Sequence, residues 1–148
     1  MKYQIDQSNK IEETSKVTYV CLANGKTIIF SINSNEKQKL KLFFRELNKP
    51  LIFKLFTFSV LCAKAIITSK AGTVEIDCEY TNHEIDIKSY ITQILLIEKT
   101  RSPDIWFAHV GKKSNAHLKG YAAMKKKAKG VTITAGEVLR YYENIDKP

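Results

Sequence analysis

The sequence predicts an α/β fold with a mixed five-stranded sheet, antiparallel over its first three strands and parallel afterwards, and with helices on both faces. Three observations predict it. A hairpin signal, Asn24-Gly25, lies between two β-rich runs near the start of the chain. The most apolar stretch, Leu51–Ile67, suits a helix buried on most sides, and two strand-then-helix alternations follow it.

Tyr3–Asp6 reads as a short strand whose side chains alternate, with Tyr3 and Ile5 on one face and Gln4 and Asp6 on the other. Val17–Leu22 and Thr27–Ile32 form the hairpin, because Asn and Gly both tolerate the positive φ of a tight two-residue turn. Asn33 followed by Glu36 resembles a capping box, and Leu40, Phe43, Phe44 and Leu47 recur at helical spacing before Pro50 ends that helix. Leu51–Ile67 is broken by Lys54 and Lys64 and falls short of the roughly 20 clean apolar residues of a membrane span. We therefore expect it inside the protein, with no membrane partner. Thr73–Cys78 is the next strand, with Val74 and Ile76 pointing one way and Glu75 and Asp77 the other. A helix capped by Asn82 should run from His83 to about Ile97, burying Ile87, Tyr90, Ile91, Ile94 and Leu95. Ile105–Val110 is the fifth strand, followed by a helix that Ser114 or Asn115 can cap and Gly130 can end. The capping box Thr134-Ala135-Gly136-Glu137 starts a last short helix through Tyr142.

A chain of 148 residues, 44% hydrophobic and 26% charged, belongs to the globular class and has the length of a single domain over 1–148. Cys21, Cys62 and Cys78 are odd in number and lack metal-site spacing, so neither a disulfide framework nor a cysteine zinc site is indicated. With no apolar signal segment at the N-terminus, a reducing cytoplasm is the expected location. The formal net charge of +9 suits a polyanionic partner. Much of it is concentrated between Ile105 and Gly136, a stretch without acidic residues. Lys112, Lys113, Lys119, Lys125, Lys126 and Lys127 there are the expected contacts to a nucleic-acid backbone, RNA or DNA. Trp106, the only tryptophan, reads as core or edge packing within its strand.

Asp6 and Asp77 each fall near the C-terminal end of a strand, where α/β sheets build their sites. If the two strands pair, the carboxylates converge, and such a pair with a third ligand from a helix start suits Mg²⁺ or Mn²⁺ and a phosphodiester. His117, in the first turn of the helix after the fifth strand, is the candidate third ligand or proton shuttle.

At these positions the chain resembles the ribonuclease H-like superfamily, which includes ribonucleases H, junction resolvases and integrases. Asp6 in Ile5-Asp6-Gln7-Ser8 matches the family's first-strand aspartate, and Asp77 in Ile76-Asp77-Cys78-Glu79-Tyr80 its central-strand aspartate. His117 in Ser114-Asn115-Ala116-His117 matches its late-helix ligand. The resemblance implies a metal-dependent nuclease with Asp6, Asp77, His117 and a nearby glutamate in the site. The family's helix glutamate has no single counterpart, and Glu36, Glu46, Glu79 and Glu84 are the available carboxylates. Two other classes stay open: a nucleic-acid-binding domain that has lost the chemistry, and an assembly module using Leu51–Ile67 as an interface.

Overall fold

The computed structural model describes residues 2–24, 27–77, 79–108 and 130–145, together with residues 118 and 122. The predicted hairpin is present as β2 (Thr18–Ala23) and β3 (Ile28–Ile32), paired antiparallel, with Asn24 at a φ of 77° where the chain turns. β1 (Lys2–Ser8) lies antiparallel to β2 on one side and parallel to β4 (Thr73–Asp77) on the other. β5 (Asp104–Ala108) adds parallel to β4 and forms one edge.

Among the described residues the sheet has six strands where five were expected, in the order β5-β4-β1-β2-β3-β6. The extra strand, β6 (Val131–Ile133), pairs parallel with β3 at the far edge. It is too short for its alternation to register as a strand signal, and Gly130 before it reads from sequence as a helix end. In the fold Gly130 has a different use. A Cβ there would lie 1.8 Å from the Ile29 carbonyl oxygen, so only glycine lets the chain come down beside β3.

Four helices are described. α1 (Ser34–Glu46) and α2 (Pro50–Ser69) are separated at Pro50, which occupies the first turn of α2 as proline can. α3 (Glu84–Ile97) buries Ile87, Ile91, Ile94 and Leu95 as its periodicity predicts. Its cap is His83, one residue later than expected, because Asn82 takes the left-handed conformation at a φ of 71°. α4 (Ala135–Asn144) is capped by Thr134, whose hydroxyl accepts from the Glu137 amide at 3.2 Å. The Asn33–Glu36 box does not close. Asn33 is the N-cap of α1 without a side-chain bond, and Glu36 instead accepts from the Ala135 amide at 3.0 Å, capping α4 across the fold.

The core lies between one face of the sheet and these helices. Ile5, Val20, Leu22, Phe30, Ile32, Val74, Ile76 and Ile133 share that face by register, and α2 lies over β2 and β3 while touching every other described helix. α2 is long and apolar enough to cross a membrane by length and composition, yet most of its side chains are buried within this chain. Phe56, fully buried at its centre, packs edge-on against both Tyr90 and Tyr142. Helices are expected on the second face of the sheet too; the helix read from Ser114 or Asn115 to Gly130 lies outside the described residues, apart from Leu118 and Ala122, which are helical. That second face carries Gln4, Asp6, Cys21, Glu75, Asp77 and Trp106.

Candidate metal centre

The strand register builds the site. β1 and β4 run parallel with Ile5 opposite Ile76, so the next residues, Asp6 and Asp77, stand side by side on the second face, Asp77 at the end of β4 and Asp6 two residues before the end of β1. Both side chains are buried, Asp6 with 4% and Asp77 with 8% exposure. A tight turn follows β4, closed by the Glu79 amide bonding back to the Asp77 carbonyl at 2.9 Å, and it returns Glu79 to the same place. One carboxylate oxygen from each of Asp6, Asp77 and Glu79 lies within 4.8 Å of the others.

Asp6 Oδ1 accepts from the Gln7 amide at 2.8 Å, which fixes its carboxylate against the strand. The turn bearing Glu79 is held by its neighbour Tyr80. That hydroxyl donates to Glu12 at 3.2 Å and accepts from the Gln7 side chain at 3.3 Å and the Ile11 amide at 3.4 Å. The Tyr80 ring packs edge-on against Phe58 of α2. The turn is thus tied to β1, to the loop after β1 and to the core. Tyr80 closes the motif Asp77-Cys78-Glu79-Tyr80, but this anchoring role is not legible there, since its partners lie far away along the chain.

Three carboxyl groups at this spacing repel when all are ionised. The Glu79 carboxyl is pushed up to about 7, first by burial, then by its hydrogen bond with the Asp77 carboxylate and by the charges of Asp77 and Asp6, with Lys10 opposing. The donor set is hard oxygen throughout, which fits Mg²⁺ or Mn²⁺ and does not suit a soft metal. A divalent ion would neutralise the repulsion that raises the Glu79 carboxyl. Among the described residues this is the one group of three metal-ligating side chains with such spacing.

The structure brings Asp6, Asp77 and Glu79 together. His117 and the lysines Lys112, Lys113, Lys119, Lys125, Lys126 and Lys127 lie outside the described residues. Glu36 and Glu46 do not join the cluster: Glu36 caps α4 and pairs with Lys39 at 2.8 Å, and Glu46 is exposed. Glu84 stands in the first turn of α3. No family model, no curated protein and no solved structure matches this chain.

Proposed function

We propose that this chain is a divalent-metal-dependent phosphodiester hydrolase acting on nucleic acid, built on a ribonuclease H-like scaffold. The observation that carries the reading is the convergence of Asp6, Asp77 and Glu79 at adjacent strand ends. Support for the scaffold comes from the sheet, in which three antiparallel strands are followed by two parallel ones added beside β1.

Asp6, Asp77 and Glu79 would hold Mg²⁺ or Mn²⁺. When bound, such an ion polarises the phosphoryl oxygens and lowers the pKa of a coordinated water. The protein's part is positional. β1 and β4 fix two carboxylates rigidly, the Tyr80 network fixes the third, and burial of Asp6 and Asp77 keeps bulk water from competing for their oxygens. His117 fills the role of a further ligand or proton shuttle in this reading, and the lysines from Lys112 to Lys127 hold the backbone of the substrate without reading its bases.

Incubation with single-stranded, double-stranded, hybrid and junction substrates in Mg²⁺ or Mn²⁺ tests the reading. Cleavage should require the metal and vanish in Asp77→Asn, which removes a ligand charge and keeps the shape. Absence of cleavage of all four by the wild type would leave a nucleic-acid-binding domain as the better account. In that case binding should still weaken steeply with salt and fall for every sequence alike when Lys125, Lys126 and Lys127 are reversed to Glu.

A further inference from the structure

Trp106 is not packed away. It sits on β5, the edge strand, and the residue is 61% exposed. Register places it opposite Glu75 on β4, so it shares a face with Asp77, two residues further along that strand. From strand spacing and rise, Trp106 and Asp77 stand about 8 Å apart at Cα. Neighbouring nucleotides of one strand span such a distance easily.

Along the outer edge of β5 runs a cavity of about 350 Å³, lined among others by Ile105, Trp106 and Phe107 and, from the start of α3, by Glu84, Ile85 and Lys88. That size is at the lower end of small-ligand pockets, about 300–1,000 Å³, and its walls combine aromatic and aliphatic side chains with the charged Glu84, Lys88 and Asp104. Ile85 is 86% exposed beside it, an apolar side chain with no core to serve. Glu84 supplies a second and independent observation. Its Oε1 has no hydrogen-bond partner and is shut off from solvent as the side chain stands, so a turn of the carboxylate toward the cavity that Glu84 lines would present an acceptor that lacks a donor.

We infer that Trp106 and the cavity beside it seat an unpaired nucleobase of the substrate, with the ring stacking on the indole and an exocyclic amino group donating to Glu84. An aromatic face is indifferent to sequence, whereas a carboxylate acceptor favours bases that carry an amino group over those that do not. The preferred substrate is then a strand with an unpaired, amino-bearing base close to the scissile phosphate, and a fully paired duplex is disfavoured. The location of this seat rests on the acidic face being the substrate side, but stacking itself needs neither metal nor cleavage.

Because Trp106 is the only tryptophan, its fluorescence reports the contact directly. The full chain in EDTA is titrated with single-stranded oligo-C, oligo-T, an abasic oligomer of equal length and a blunt duplex, in both DNA and RNA forms. Quenching by oligo-C in at least one form is expected, weaker by oligo-T, and none by the abasic strand or duplex. Glu84→Ala should erase the preference for oligo-C, and Trp106→Ala should weaken oligo-C binding at least tenfold by anisotropy while Trp106→Phe retains most of it. Equal quenching by the abasic strand or the duplex, or equal binding of oligo-C and oligo-T by the wild type, overturns the inference. Stacking without cleavage would sink the hydrolase reading and leave this seat standing; cleavage without stacking would do the reverse.

Discussion

Asp6 and Asp77 stand side by side on adjacent parallel strands, one step beyond the Ile5–Ile76 pair, and both carboxylates are buried on the face turned away from the core. Two such groups, joined by Glu79, form an arrangement that the folded chain alone does not favour, because like charges are brought together out of water.

The first prediction follows from that repulsion. A divalent ion that binds the folded chain and not the unfolded one stabilises it by about 1.4 kcal/mol at tenfold excess over Kd, or about 3–6 °C in a protein of this size. Mg²⁺ or Mn²⁺ should therefore raise Tm by a few degrees. Asp77→Asn and Glu79→Gln should each melt at or above the metal-free wild type, since each removes one of the repelling charges, and each should lose most of the metal-induced rise. Calorimetry with and without EDTA reads both effects, and a wild-type Tm indifferent to metal would remove the ion from the site.

What could be read in advance was whatever local chemistry decides. The hairpin of β2 and β3, the α3 stripe and the Thr134 cap depend on neighbours in sequence and appear in the structure. Asp6 and Asp77 were legible because strand alternation puts both on one face, and pairing of β1 with β4 then does the rest. The illegible parts depend on distant partners. Glu36 carries a local cap signature yet bonds to Ala135, and Tyr80 anchors the Glu79 turn through Gln7, Ile11 and Glu12. β6 is set by its pairing with β3 and by the space Gly130 leaves, not by its own three residues.

The second prediction concerns α2. Phe56 is fully buried between Tyr90 and Tyr142, so Phe56→Ala should cost about 3–5 kcal/mol, and Phe56→Asp should unfold the chain by adding an unpaired buried charge. Urea denaturation gives the first value and circular dichroism the second. A folded Phe56→Asp protein would show that this helix face serves as an interface instead of core.

The third prediction tests β6. Gly130→Ala places a methyl group against the Ile29 backbone, which has no flexible end to yield, and should destabilise by about 1–3 kcal/mol in the manner of overpacking. Hydrogen exchange should localise the loss, with faster exchange at Val131–Ile133 and along β3 and little change in β1, β4 and β5. Uniformly unchanged protection would mean that Gly130 is not what lets β6 dock.

The fourth prediction turns on Lys37, whose side chain is fully buried on α1. Its ammonium donates to the Glu13 carbonyl at 2.7 Å and to the Thr18 hydroxyl at 2.9 Å, tying the loop after β1 to the start of β2. Burial depresses its pKa from the ordinary 10.5 to about 8, with the charges of Glu13 and Glu12 opposing. The sign is fixed by the proton count. Between about pH 8 and 10.5 the unfolded chain holds a proton on this lysine that the folded chain has released, so folding gains stability as pH rises through that window. Below about 8 both states are protonated and the cost of the buried charge is constant. Lys37→Met removes the titration along with both hydrogen bonds. The stability of the wild type relative to Lys37→Met should therefore be flat from pH 6 to about 7.5 and rise steadily towards pH 10, the other titrating groups cancelling in the difference. Urea melts of the two proteins at matched pH values measure it, and parallel stability curves across that range would show that Lys37 keeps an ordinary pKa in the fold.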